Sequence, residues 1–338
     1  MSPRPRLLWL TDPWEWLDHP RDTTLRLIEE AVSLGVECTW ADVRSLVWSP
    51  DGATIEPRRV VHVAPAREAG SFELEPGPSA RPSDFDQLHY RMDPPVDLSY
   101  LHPLLLVGTD LELRARQDGA CATEVVNPLA VLLACNEKLT IAFCPALAPP
   151  SVAAARWDAL RAFGQREGRT IAKPLHQCQS KGVELLEWQG SSEIERNHQL
   201  LSALSDGFHQ PVLLQRFLPG VLEGETRLWF MDGSLLACVR KIPAAGTYRI
   251  DMDRGGTLAR HELTEQERAG VPIIADELRR RRIRLAAVDL IDGFVTDFNL
   301  TSPGLLSAME TVVGRNLARP VVQALLAPFG ARPPEPTQ

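Results

Sequence analysis

Residues 288–303 read VDLIDGFVTDFNLTSP, and how this stretch turns decides what the chain can hold. Asp289, Asp297 and Asn299 bring three hard oxygen ligands within eleven positions. Asp297 and Asn299 are two apart, so on a strand their side chains leave the same face. Asp289 joins them only if the turn allows it. A two-residue turn at Asp292-Gly293 pairs Asp289 with Thr296 and sends Asp297 to the opposite face. A three-residue connection, Asp292-Gly293-Phe294 with Gly293 at positive φ, sets Asp289 opposite Asp297. A metal site therefore predicts the three-residue hairpin. The competing reading is a polar strand face exposed to solvent. Like charges facing each other across a hairpin are unfavourable without a cation between them, which tilts the balance towards metal. One or two carboxylates, completed by phosphate oxygens and water, suit Mg²⁺.

Cations fall near the ends of neighbouring strands: Lys138 in CNEKL, Lys173 in AKPL, Arg227 in ETRLWF, Lys241 in RKIP and Arg249 in TYRID. Any one of them alone reads as a surface charge. Lys173, flanked by Ile171, Ala172 and Pro174, is a poor surface lysine, because a desolvated ammonium needs an anionic partner. By contrast, RRRRIR (279–284) reads as the basic, solvated last turn of a helix. The eight histidines show no ligand spacing. Cys178 has His176 two residues away but no third partner, which argues against covalent catalysis. Trp14 and Trp16 read as packing or interface residues.

The elements around these residues alternate. RLLWLTD (6–12) reads as a strand, TTLRLIEEAVSLG (23–35) as a helix capped by Asp22 or Thr23, and VECTWADV as a second strand. That opening predicts an α/β unit with a parallel sheet. Residues 64–84, rich in Pro, Gly and Ser, read as a surface loop. Residues 127–143 and the stretch SVAAARWDALRAFGQREG read as helices, RTIAKPL and PVLLQRFLPG as strands. TRLWFMDGSLLACVRKI reads as a hairpin about Asp232-Gly233. Helices close the chain, and ARPPEPTQ reads as a frayed tail.

Composition bounds the rest. With 338 residues, 44% hydrophobic and 24% charged, the chain can build a sizeable core. A net charge of −8 argues against nucleic acid as a partner. No apolar run approaches the roughly 18 residues of a membrane span. Six scattered cysteines without a Cys-x-x-Cys pair fit a reducing cytoplasm.

RMDPPVDLSYL (91–101), VVNPLAVLLACNEKL (125–139), AKPL (172–175), LLQRFLPG (213–220), RKIPAAGTYR (240–249), RGGTLARHELTEQER (254–268) and VDLIDGFVTDFNLTSP (288–303), in that order, resemble the bacterial glutathione synthetases of the ATP-grasp superfamily. The resemblance implies an α/β, ATP-grasp fold with an N-terminal Rossmann-like (pre-ATP-grasp) domain. Its expected divisions are an N-terminal domain at 1–126, a lid-like central subdomain at 127–212, a C-terminal subdomain with the metal site at 213–330, and a tail at 331–338. It implies a ligase that joins a carboxylate to an amine through an acyl phosphate, with ATP and Mg²⁺ (or Mn²⁺) as cofactors. It also implies small-molecule substrates and a homo-oligomer of two or four subunits. Carried over by position, Lys138 and Lys173 resemble the ATP-phosphate lysines, and Gln215, Arg216, Phe217 and Leu218 the segment holding adenine. Arg227 resembles the arginine that steadies the transferred phosphoryl group. Asp289, Asp297 and Asn299 resemble the magnesium ligands, with Asp297 where the family usually has Glu. Arg91, Arg249 and Ser302 stand at substrate-contact positions.

Three stretches depart from that pattern. After Lys-Pro-Leu the family carries Asp-Gly-Met-Gly-Gly, a loop whose bare backbone closes over phosphates. Here it is His176-Gln177-Cys178-Gln179-Ser180, with one glycine left at Gly182 and with Lys181 and Ser180 as substitute donors. After Arg249 the family's Gly-Asn-Leu-Ala-Ala-Gly-Gly becomes Ile250-Asp251-Met252-Asp253-Arg254-Gly255-Gly256. TSPGLL lacks the Thr that usually follows Ser-Pro. A rival reading from another class is a nucleotide-binding scaffold that has lost turnover.

Overall fold

The computed structural model describes residues 5–64, 71–177 and 181–330. The expected tail at 331–338 and the loop positions Cys178, Gln179 and Ser180 lie outside the described residues.

The N-terminal unit opens as its hydrophobic pattern requires: β1 (Arg6–Thr11), α1 (Thr23–Ser33), β2 (Glu37–Asp42). Asp22 caps α1 by accepting from the Leu25 N–H at 2.9 Å. A small hairpin of β3 (Val47–Ser49) and β4 (Gly52–Thr54) follows, then β5 (Arg58–Val63), β6 (Phe72–Pro76), β7 (Gln87–Tyr90), α2 (Leu98–Asp118) and β8 (Glu124–Val126). Six strands form one sheet in the order β6-β5-β2-β1-β7-β8, parallel from β2 to β8 and antiparallel at the β5–β6 edge. The expected surface loop at 64–84 therefore contains a strand. Phe72 anchors it, edge-on to the Trp14 ring at 5.3 Å. Residues 65–70 of that stretch lie outside the described residues.

The middle of the chain carries α3 (Leu129–Ala134), β9 (Ser151–Ala154), α4 (Trp157–Glu167), β10 (Arg169–Pro174), β11 (Glu184–Glu187), α5 (Ser191–Leu204) and β12 (Val212–Arg216). Four of these strands form an antiparallel sheet, β11-β10-β12-β9. Two expected helices are shorter than their apolar content suggested. The one over 127–143 ends at Ala134, and the Asn136 side chain then turns the chain by accepting from the N–H groups of Lys138 and Leu139. The other loses Ser151–Ala154, which pairs with β12 instead.

The C-terminal part contains β13 (Glu225–Met231), β14 (Ser234–Ile242), β15 (Thr257–Arg260), α6 (Glu265–Arg280), β16 (Leu285–Ile291), β17 (Phe294–Asn299), α7 (Leu306–Val313) and α8 (Ala318–Leu325). Its antiparallel sheet runs β15-β14-β13-β16-β17. One face packs through Trp229, Val239 and Leu285 on α7, α8 and α1. The other packs through Leu228, Phe230, Val288 and Phe298 on α6 and on Val131, Ile141 and Leu147. Sheet membership puts β12 with the central strands, across the expected division at 212/213, and the segment 129–147 splits its packing between the N-terminal core (Leu129, Leu132) and the C-terminal core (Val131, Ile141, Leu147). Among the described residues no helix is long and apolar enough to cross a membrane.

The basic run at 279–284 needs one correction. Arg284 is 1% exposed and is a buried hub, not a solvated charge. Its guanidinium meets Asp232 at 3.0 Å and Glu124 at 3.0 Å, and donates to the Ala327 carbonyl at 3.0 Å. Chain direction explains the difference: α6 ends at Arg280, so Arg284 already enters β16 on its core side. Removing one partner of a buried pair strands the other. Arg284→Met should therefore destabilise the fold by about 3–5 kcal/mol in urea unfolding, against less than about 0.5 kcal/mol for Arg282→Met, an exposed member of the same run.

Candidate active site

The hairpin β16–β17 reaches the arrangement that a metal site requires, but by a different route from the one expected. Its turn has two residues, Asp292 (φ 51°) and Gly293 (φ 75°), with Ile291 paired to Phe294. A bulge then shifts the register between Asp289 and Leu290, leaving Thr296 unpaired and setting Asp289 opposite Asp297. The expected three-residue connection is therefore absent, and the bulge does its work. The Thr296 hydroxyl holds the bulge in place, bonded to Glu225 at 2.8 Å and to the Asp289 carbonyl at 3.2 Å.

Around that pair the side chains form one charged cluster. Arg227 lies directly across the sheet from Asp289 and grips it with two hydrogen bonds, Nε at 2.8 Å and Nη2 at 2.6 Å. Lys241 Nζ sits between Glu225 (2.6 Å) and Asp289 (3.1 Å). Asn299 Nδ2 donates to the Ala287 carbonyl at 2.9 Å and to Asp289 at 3.2 Å, leaving its own carbonyl oxygen as a ligand atom. Lys173, from β10 of the central sheet, reaches Asp297 at 3.0 Å and the Thr296 carbonyl at 3.1 Å. Burial by itself would raise the Asp289 carboxyl, but Arg227 and then Lys241 outweigh it and hold it well below the usual carboxylate range.

These residues line a cavity of about 670 Å³ together with Lys138, Gln215, Arg216, Phe217, Leu218, Arg249 and Ser302. Lys138 Nζ donates to the Gln177 carbonyl. Gln215 is buried, with its amide 3.4 Å from the Ser151 hydroxyl, and the Arg216 side chain bonds Glu167 at 2.7 Å. Arg249 bonds the Val183 carbonyl at 2.9 Å and pairs with Glu184 at 2.7 Å. Arg91 is not in the cavity wall. It is buried, donating to Thr24 (3.1 Å) and to the Pro303 carbonyl (3.2 Å), within electrostatic reach of Asp22 and Asp93, which do line the cavity.

The described residues of the departing loops make their own contacts. His176 and Leu175 offer their carbonyls to the Val96 N–H and the Asn136 amide, at 2.9 and 2.8 Å. Asp251 caps the short turn Met252–Arg254, and Asp253 pairs with Arg21 of the N-terminal unit at 2.9 Å. Sequence reasoning gave no role to Glu225, Thr296 or Asp93, and singled out Lys241 without placing it in the site. The alternation of β13 and β14 put Glu225, Arg227 and Lys241 on one face, and that signal was available.

Family models match both parts of the chain. The prokaryotic glutathione synthetase N-terminal domain matches residues 6–127, and the ATP-grasp domain of the same family matches residues 137–314. The chain belongs to the prokaryotic glutathione synthetase family. It is 31% identical over 329 residues to the glutathione synthetase of Prochlorococcus marinus, covering 96% of this chain and all of that one. To that of Pseudomonas syringae pv. tomato it is 26% identical over 337 residues, covering 97% and 98%. In structure it is similar to D-cycloserine synthetase DcsG (TM-score 0.63, 19% identity, 95% and 98% covered). It is also similar to the ATP-grasp ligase PsnB held with a precursor variant, Mg and ADP (TM-score 0.59, 16% identity, 95% and 98% covered).

As a member of this family the chain is an ATP-dependent carboxylate–amine ligase on the ATP-grasp fold, working with ATP and Mg²⁺ on small-molecule substrates. The scaffold reading is not favoured. The donor set fits the metal: two carboxylates in register plus an amide carbonyl are hard oxygen donors facing one cavity.

At the other end of the cavity, protein mass surrounds Asp93, although the cavity's solvent reaches it. Desolvation, then Asp22 and Asp12, push its carboxyl up to about 6, against the pull of Arg91 and a hydrogen bond with Ser302. A raised folded value means that the folded state holds a proton which the unfolded chain has already lost. Wild type should accordingly lose stability relative to Asp93→Asn as pH rises from about 4 to about 6, with a constant difference above that. Thermal unfolding across that range reads the effect, and a difference independent of pH would contradict it.

Proposed function

We propose that the chain joins the carboxylate of γ-glutamylcysteine to the amine of glycine, with one ATP consumed. The observation that carries this reading is the convergence of Lys138, Lys173, Arg227, Asp289, Asp297 and Asn299 on one cavity, in a chain that spans the full length of its glutathione synthetase relatives. A substrate carboxylate oxygen attacks the γ-phosphorus and ADP leaves, giving an acyl phosphate. The amine then attacks the acyl carbon, phosphate leaves with the C–O bond pair, and the amine gives up a proton. Such chemistry is mostly positioning and charge neutralisation. Lys138 and Lys173 stand to receive the phosphates, and Arg227 the charge that builds on the transferred group. Gln215 to Leu218 form the wall for adenine. Asp289, Asp297 and Asn299 would hold Mg²⁺, which would supply positive charge against the negative charge of the phosphates. Arg249 and Ser302 face the substrates, and Arg91 acts from behind by holding Thr24 and the Pro303 carbonyl. The reading also takes in a cytoplasmic location and a homo-oligomer of two or four subunits.

A second reading keeps the reaction and changes the amino-acid or peptide pair. It is favoured by the loop 250–256, which puts Asp251, Asp253 and Arg254 on the cavity wall. ADP release by purified protein against panels of carboxylates and amines separates the two. The first reading expects ADP with γ-glutamylcysteine plus glycine and with neither alone. ADP with another pair only would replace it with the second, and no ADP with any pair would overturn both. Asp297→Ala should abolish Mg²⁺-dependent ATP binding in calorimetry, and unchanged affinity would remove the hairpin from the site.

A further inference from the structure

The carboxylates of the cluster are neutralised by side chains of the chain itself. Three of them, Glu225, Asp289 and Asp297, meet three cations, Arg227, Lys241 and Lys173. The cations do not hold with equal grip. Arg227 is bound by both nitrogens and sits in register across the sheet. Lys241 is shared by two carboxylates of its own subdomain. Lys173 comes from a different sheet, carries one carboxylate contact and one carbonyl contact, and its side chain is 10% exposed to the cavity. A divalent ion seated on Asp297 would come against the Lys173 ammonium, and like charges a few ångströms apart in a partly desolvated site repel strongly.

We propose that Lys173 and a divalent ion compete for Asp297, and that nucleotide phosphate draws Lys173 off it, so that the divalent ion is retained only together with nucleotide. This rests on the ligase reading for the identity of the two ligands. The ammonium moves from one anion to another, and no charge is left unpaired at either stage: phosphate takes the lysine and the metal takes Asp297. Binding of the two ligands is then coupled, and the coupling is reciprocal.

The test uses Mn²⁺ as probe, its free concentration read by electron paramagnetic resonance, on the full chain with and without a non-hydrolysable ATP analogue. Wild type should hold Mn²⁺ at least tenfold more weakly without the analogue than with it. Lys173→Met should gain at least tenfold in Mn²⁺ affinity without nucleotide, and adding Asp297→Ala should erase that gain. Lys173→Gln serves as the second variant if the first fails to fold. Wild type that binds Mn²⁺ equally well alone, or lysine variants that gain nothing, would overturn the proposal. ADP release by wild type is read in parallel. Tight nucleotide-free Mn²⁺ binding alongside ADP release sinks this inference and spares the ligase. Coupled binding without ADP from any pair does the reverse.

Discussion

The ion pair of Arg227 with Asp289 is the constraint on which the site depends. Both groups are buried on adjacent strands, and both hydrogen bonds need the two residues directly opposite. An error of one residue in the β13–β16 register would turn one partner to the far face and leave a buried charge alone. The pair therefore locks the middle of the five-stranded sheet. It also fixes the ionised state of Asp289 by setting a guanidinium against it in a place where burial favours the neutral acid. Lys241 and Glu225 continue the same network from the strand on the other side and from the strand end.

That lock has to be referred to the other walls of the cavity. Asn127, at the end of β8, accepts from the Arg284 and Leu285 N–H groups and donates to the Leu285 and Leu300 carbonyls. Arg284 beside it ties Glu124 and Asp232 together. These contacts join the N-terminal sheet to the start of β16 and leave little freedom between the substrate end and the metal hairpin. The central sheet is attached more lightly. Its contacts with the rest of the site include Lys173 on Asp297 and the loop carbonyls that meet Asn136, Lys138 and Val96. Ligand binding can therefore move that wall most cheaply.

How much of this was legible depended on the distance over which each feature is decided. Asp289, Asp297 and Asn299 could be picked out because strand alternation is local. The bulge that brings them together could not. It is stabilised by a hydroxyl bond from Thr296 to Glu225 on another strand, and nothing in VDLIDGFVTDFN signals that partner. Arg284 looked like the last of a solvated run because its acidic partners lie at Glu124 and Asp232, far off in sequence. β6 and β9 are short edge strands whose Pro, Ser and Ala content resembles loop or helix, and pairing alone makes them strands. Arg91 was legible as important. Its place was not, since only the packed fold shows that Asp93 and Asp22 line the cavity and Arg91 does not.

The loop after Lys173 is poor in glycine. A glycine loop holds phosphate by offering bare N–H groups, which requires backbone freedom. In this chain the described part of that loop instead presents carbonyls, at Leu175, His176 and Gln177, to an amide, a backbone N–H and the Lys138 ammonium. Those contacts spend acceptors, not donors, and hold the loop to the segment at 96 and to the turn at 136–138. Positive charge on either side of it comes from side chains, Lys138, Lys173 and Lys181, all of which line the cavity. A long ammonium reaches an anion without the backbone following, so a tethered loop and a working phosphate site are compatible.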